Sequence, residues 1–283
     1  MTNPNGTSKN ERRQHARELA KKRQEEERRR RLRNRIFLQG GLGLGILAIL
    51  AIVIVVFVNT NSGGAASVAS AAGPKNMATN GIQFAAEDGK VAPVLTAGVA
   101  AKATPKPVAS KNSDGATKVV TYIDWACPVC KQFEASYSPQ ILDLVAQGKA
   151  TLEIHPVSIL DRNYQSSRYA SRAANAAACV ANYDPDDFLS VQTQFYDNQP
   201  EEGSTGLTNA QIKALVKKGG AGDAKIATCI DDERFKAWVT AATNQTLADP
   251  ALQSNGSFGT PTVVIDGKKW DQQTDLLSLI GQG

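Results

Sequence analysis

The sequence predicts an α/β fold with a large inserted helical subdomain, preceded by a single transmembrane helix. Three observations carry this. Ile36 to Val58 form an apolar run of 23 residues without a charge. Beyond Thr117 the elements follow the order strand, helix, strand, a long helical block, strand, strand and a short helix. The helical block, about 90 residues, is too long for a connection and must form a cap or subdomain beside the sheet. The roughly 165 residues from Thr117 onward suffice for one sizeable core.

The chain opens with 35 very polar residues, thirteen Lys and Arg against five Glu. Their net charge of +8 exceeds the +5 of the whole chain, so everything after residue 35 carries −3. The basicity belongs to this tail and not to a basic domain. "ERRRRLRNR" has the charge of a nucleic-acid or anionic-lipid site. The segment that follows explains it better as a cytoplasmic topology signal, and no nucleic-acid partner is expected.

That segment, residues 36–58, has one polar side chain, Gln39. At ~1.5 Å per residue its helix would span roughly 34 Å, enough to cross a bilayer. The arginines stop at its start and no basic cluster follows. The positive-inside rule then places residue 1 in the cytoplasm and residues 59–283 outside, as a single-pass plasma-membrane protein. The rival is a cleaved signal peptide ending at Ala69-Ser70-Ala71. Against it, the apolar run is too long and the small-residue site too distant.

Residues 59–116 are expected to be linker with one short hairpin. "NTNSGGAASVASAAGPKNMAT" is a small, polar tether. "GIQFAA" and "KVAPVLTAGV", split by "EDGK", suggest a hairpin or an edge strand. "AKATPKPVASKNSDGAT" is a second linker, and the compact domain is expected over 117–283. "TKVVTYID" is a buried strand candidate, and "CPVCKQFEASYSPQILDLVAQG" a helix with Pro128 in its first turn and Gly148 at its end. "KATLEIHPVSIL" supplies a second strand, and a helical insertion spans about residues 162–250. "GTPTVVIDGKKW" reads as strand, turn and strand, and "TDLLSLIG" as a last short helix.

All four cysteines follow the apolar segment: Cys127, Cys130, Cys179 and Cys229. An even count in an oxidising compartment favours disulfides over metal. His15 lies in the tail, and His155, alone beyond the anchor and followed by a proline, is read as structural.

A Cys-x-x-Cys pair fits an inert clamp, half a zinc site or a reactive centre. As a clamp it closes almost no chain and would stabilise weakly. Zinc needs four ligands, which Cys179 and Cys229 would supply only by leaving their helices. Strand, then Cys-x-x-Cys, then helix puts Cys127 at a helix N-terminus, where free N–H groups and the dipole stabilise a thiolate. Pro128 wastes no hydrogen bond at the first helical position. Cys130, one turn on, faces back to close a reversible disulfide.

Asp124, three residues before Cys127, is a candidate proton relay to Cys130 if buried; otherwise it caps the helix or faces solvent. Trp125 either packs near the site or forms part of a substrate surface. In "FGTPTVVIDG" the Thr260-Pro261 pair makes a bend before an apolar strand, with a cis or an ordinary trans peptide.

"DWACPVCKQFE" after a strand, the helical insertion and "GTPTVVIDG" together resemble the thioredoxin-fold, DsbA-like thiol:disulfide oxidoreductases, in the membrane-anchored branch common in actinobacteria. The resemblance covers residues 117–282. It implies a central sheet with Pro261 in cis, facing the Cys127 sulfur, and Thr260 offering its backbone to an extended substrate. It implies formation of disulfides in reduced, unfolded exported proteins and no cofactor of its own. It also implies reoxidation by a quinone-linked membrane partner of the DsbB or vitamin K epoxide reductase type.

Two departures bear on direction. Val129 stands where the best-known members carry His, so a less oxidising pair is expected. Thr260 resembles the reductase and isomerase branches as much as the oxidases. A non-catalytic, chaperone-like module is the reading from outside the enzymes, and the intact Cys-x-x-Cys argues against it. Cys179 and Cys229, both in the helical block, are expected to pair and staple two helices, rather than act as a second redox couple. A loop of about 50 residues gives roughly 4 kcal/mol in the chain-entropy treatment.

Overall fold

The computed structural model describes residues 71–280. The basic tail, the apolar stretch 36–58 and most of the tether lie outside the described residues, and the predicted anchor with them. Among the described residues no helix is long and apolar enough to cross a membrane.

The sheet is built around β3 (Thr117–Ile123), in which all seven residues are buried. Its sequence, TKVVTYI, is dominated by β-branched side chains, which suit a strand covered on both faces. β4 (Ala150–Pro156) runs parallel to it, in the register Val119↔Leu152 and Ile123↔Pro156. Helix α1 (Pro128–Ala146) makes the crossover between them. β5 (Thr262–Ile265) pairs antiparallel with β3 on its other side, and β6 (Lys268–Lys269) closes that edge.

The opposite edge corrects the expected domain boundary. β1 (Ile82–Glu87) and β2 (Lys90–Pro93) are not a hairpin inside a linker. β1 pairs antiparallel with β4, at Ile82↔Ile154 and Phe84↔Leu152, giving the order β2-β1-β4-β3-β5-β6. The sheet therefore begins well before Thr117. The alternation of IQFAAE explains this: Ile82 and Phe84 are buried, while Gln83 and Ala85 are only half-buried. Asp88 and Gly89 both have positive φ, the conformation a tight two-residue hairpin turn requires. Residues 76–79, expected in the tether, and Asn80 after them are packed as well. Met77 is fully buried, Asn76 donates to the Ala181 carbonyl, and Trp238 donates its indole N–H to Asn80. The C-terminal "TDLLSLIG" makes only a 3-10 turn at Leu277–Leu279.

Five helices form the insertion: α2 (Tyr169–Tyr183), α3 (Phe188–Asp197), α4 (Asn209–Lys218), α5 (Ala224–Asp231) and α6 (Lys236–Ala248). α2 is their hub. It is rich in alanine and buried on most of its surface, so neighbouring helices can pack close to its backbone. A disulfide joins Cys179 of α2 to Cys229 of α5 across 50 residues. α4 starts with a reciprocal capping box between Thr208 and Gln211.

One polar cluster lies inside the sheet domain. Lys118 on β3 reaches Glu153 on β4 at 2.5 Å, and His155 reaches the other oxygen of Glu153 at 2.9 Å. Thr79 donates to that same oxygen at 2.6 Å, which ties the N-terminal segment to the sheet. Burial opposes the Glu153 charge, but His155 and Lys118 prevail and hold its pKa down to about 2. His155 also stacks on Tyr122 at 4.7 Å between ring centroids.

Candidate active site

Strand register decides what surrounds Cys127. β3 and β4 end side by side, so the segment after β4 abuts the loop after β3: the Val157 N–H donates to the Ile123 carbonyl at 2.8 Å. β5 runs antiparallel to β3 and begins with Thr262 beside Tyr122. The Thr260-Pro261 pair just before it therefore meets the same loop from the other side.

Cys127 is the N-cap of α1, with extended backbone and Pro128 at the first helical position. Its thiol Sγ–H donates to the Thr260 carbonyl at 3.4 Å. The Thr260–Pro261 peptide bond is cis. Cys127 and Cys130 are both free thiols, so this is the dithiol state. Both are buried, Cys127 at 5% exposure and Cys130 at 1%, and the difference leaves Cys127 as the one a partner sulfur can reach.

Their acidities diverge. The Cys130 thiol hydrogen-bonds the Cys127 sulfur and is the largest influence lowering its pKa, to about 7. Burial opposes the shift, while the Thr260 side chain and the helix N-terminal N–H groups of Cys130 and Val129 add to it. Cys130 moves the other way, well above an ordinary thiol. Burial is the main cause, and its role as donor to Cys127 adds to it. One sulfur is thus poised to ionise near neutral pH while the other holds its proton.

Asp124 is fully buried. One carboxylate oxygen accepts from the Ala126 N–H at 2.9 Å, the other from Ile159 at 2.9 Å and Leu160 at 3.1 Å. It therefore fastens the Cys127 loop to the segment after β4. Burial pushes its pKa up to about 8 against the pull of these N–H groups, with the nearby Cys127 adding to the rise. The carboxylate is buried as a relay requires, yet its oxygens accept from the backbone N–H groups of Ala126, Ile159 and Leu160, and no described hydrogen bond joins it to a cysteine thiol.

Trp125 does not form a substrate surface. It is fully buried and meets the rings of Phe188 and Phe195 on α3 edge-on, at 6.2 and 6.1 Å. Cys127 is directed at the cis-proline turn, whereas the Trp125 ring packs on α3 and anchors the insertion.

Two residues escaped sequence reasoning. Gln199, just after α3, donates its side-chain amide to the carbonyls of Trp125 at 2.8 Å and Cys127 at 3.0 Å. The Tyr164 hydroxyl lies 2.9 Å from the Ala126 carbonyl and 3.1 Å from that of Pro200. Nothing local marks either one, because both act across long stretches of chain. Glu134, one turn beyond Cys130, accepts from Ser138 and from Gln192 of α3, and burial raises its pKa.

This is the architecture of the DsbA-like thiol:disulfide oxidoreductases: a Cys-x-x-Cys helix on a central strand, a cis-proline turn opposite it and a helical insertion above. Residues 104–280 match the thioredoxin family, well over half of the chain, and the chain belongs to that family. It is similar to oxidised DsbA of Mycobacterium tuberculosis, with 25% identity and a TM-score of 0.51 over 68% of this chain and 85% of that one. MdbA of Corynebacterium matruchotii, described as a thiol-disulfide oxidoreductase, shares the fold at 19% identity. Its TM-score is 0.52 over 70% of this chain and 91% of that one. The serine/threonine-protein kinase PknE of M. tuberculosis is 32% identical over 141 residues, 48% of this chain. The match spans only 24% of the kinase's length.

Proposed function

We propose that the chain is a membrane-tethered, extracytoplasmic enzyme that forms disulfides in exported proteins through the Cys127–Cys130 pair. The observation that carries this reading is the geometry of the pair: Cys127 caps the N-terminus of α1 and faces the cis Thr260–Pro261 turn, with Cys130 buried behind it. In the forward reaction a client thiolate attacks Sγ of Cys127 in the oxidised pair. The Cys127–Cys130 bond breaks, and Cys130 leaves with the electron pair and takes a proton. The client's second thiolate then attacks the client sulfur of the mixed disulfide, expelling Cys127 as a thiolate. The client loses two electrons and two protons, and the enzyme gains both as a dithiol.

An acidic Cys127 suits this direction, because it leaves readily and stabilises the reduced enzyme. Thr260 and Pro261 border Cys127 and would bind a client strand through the Thr260 backbone. Relatives of this fold that act as disulfide oxidoreductases support the chemistry. Reoxidation falls to a quinone-linked membrane partner of the DsbB or vitamin K epoxide reductase type, placed beside the enzyme by the 36–58 anchor.

The second reading is a reductase or isomerase of the same fold, favoured by Val129 between the cysteines and by Thr260 before the proline. The reduction potential of the full chain in detergent, equilibrated with glutathione buffers, separates the two. A value well above about −200 mV supports the disulfide donor, and one near about −270 mV overturns it in favour of the reductase. Cys127→Ser abolishes the activity on either enzymatic reading and leaves a chaperone-like role intact.

A further inference from the structure

Three consecutive carbonyls of the active-site loop, those of Trp125, Ala126 and Cys127, are met by side chains that come from the helical insertion and the segment leading into it. We propose that Gln199 is a positioning residue for Cys127, through which the insertion sets the acidity of the reactive thiol. The inference rests on the thiol:disulfide reading above and adds to it a specific link between the insertion and the chemistry.

The stoichiometry is complete. A carboxamide nitrogen has two protons, and Gln199 spends one on the Trp125 carbonyl and one on that of Cys127. The carbonyl between them, on Ala126, takes the Tyr164 hydroxyl. On the other side of the loop, Asp124 receives the Ala126 N–H on its side chain and the Cys127 N–H on its carbonyl. The peptide planes around Cys127 are therefore held from both sides. The orientation of its carbonyl is tied to ψ of Cys127, and so to the placement of Sγ against the N–H groups of Val129 and Cys130 that lower its pKa.

Gln199 is itself held. Its own N–H donates to the Tyr196 carbonyl at the end of α3. The following carbonyl, on Pro200, shares the Tyr164 hydroxyl with Ala126. Farther along, the Gly203 N–H donates to the Asn163 carbonyl, and Asn163 donates its side-chain amide to Glu202. The two loops that flank the first helices of the insertion are thereby joined directly above the cysteine loop. The amide protons also present the positive end of a dipole toward the loop that carries the thiolate. Loss of the donors acts in one direction through both effects: the thiolate is less stabilised, the Cys127 pKa rises, and the disulfide becomes the more stable form of the pair.

The test uses the reduced full chain in detergent and follows thiolate absorbance in the ultraviolet against pH for the wild type, Gln199→Met and Gln199→Glu. Met keeps the volume and removes both donors; Glu adds a charge facing two carbonyls. Equilibrium with glutathione and thermal unfolding are measured on the same samples. The expected result is a Cys127 pKa higher by about half a unit or more in the Met variant and higher again in the Glu variant, with the potential falling in the same order. Tyr164→Phe, which frees the Ala126 carbonyl, shifts the pKa in the same direction. Variants that titrate and equilibrate as the wild type does, whether or not they melt earlier, overturn the inference. A wild-type protein with no thiol titrating below the ordinary range overturns the functional reading itself.

Discussion

The Cys127 thiol donates to the Thr260 carbonyl at 3.4 Å, across 133 residues of chain. Only a protonated sulfur makes this contact. In a disulfide or a thiolate the sulfur has no proton to give, and the Thr260 carbonyl is free to accept from another backbone.

A client strand added at Thr260 should therefore prefer the oxidised enzyme. An extended peptide with serine in place of cysteine is expected to bind the disulfide form several-fold more tightly than the dithiol form, the worth of about one hydrogen bond. Fluorescence titration of the two redox states reads this directly, and equal affinities would rule the contact out.

The acidity of Cys127 depends first on the Cys130 thiol. Cys130→Ala removes that donor, so the rise in the alkylation rate of Cys127, expected around pH 7 in the wild type, should shift to higher pH. The depressed pKa also bears on stability. Unfolded Cys127 titrates near its ordinary value and folded Cys127 at about 7, so the folded dithiol gains stability as pH rises from about 7 toward 9 and loses it as pH falls through 7. The oxidised protein lacks this contribution, so the difference in melting temperature between the two forms should shift in favour of the dithiol over that window.

Asp124 has the opposite sign. Its folded pKa is raised to about 8, so the stability linked to its proton is present below about pH 4 and lost progressively as pH rises toward 8. In urea unfolding of the oxidised protein, the wild type should lose stability between those limits and Asp124→Asn should flatten that decline. Asp124→Ala should destabilise at every pH, by about 1–3 kcal/mol for each backbone N–H left without a partner.

Trp125 and the Cys179–Cys229 disulfide should affect stability and leave the client-binding surface alone. Trp125→Ala opens a cavity against Phe188 and Phe195 and should cost about 3–5 kcal/mol, whereas Trp125→Phe should cost less and keep KM for a client peptide. Cys179→Ala with Cys229→Ala should cost about 4 kcal/mol by releasing a loop of 50 residues, with the Cys127 titration unchanged. Unfolding curves and thiolate titration of the same variants check both statements.

The sequence by itself determined what depends on near neighbours. The strand, Cys-x-x-Cys and helix arrangement at 117–146 was legible because β-branching, Pro128 and the helix N-terminus all act within one or two turns of Cys127. The helical insertion was legible from its alanine-rich and capped segments. Tertiary structure decided the rest. The 82–93 hairpin read as part of a linker because its partner, β4, lies more than 60 residues away, and only pairing shows that Ile82 and Phe84 belong to the core. Lys118 within a buried strand made sense only once Glu153 and His155 lay opposite it. Trp125 next to a reactive cysteine suited a surface or a core equally well, until α3 supplied Phe188 and Phe195. Gln199 and Tyr164 carry no local signal at all. A side-chain amide or hydroxyl gains its role from the carbonyl it meets, and those carbonyls come from a loop 38 to 74 residues earlier in the chain.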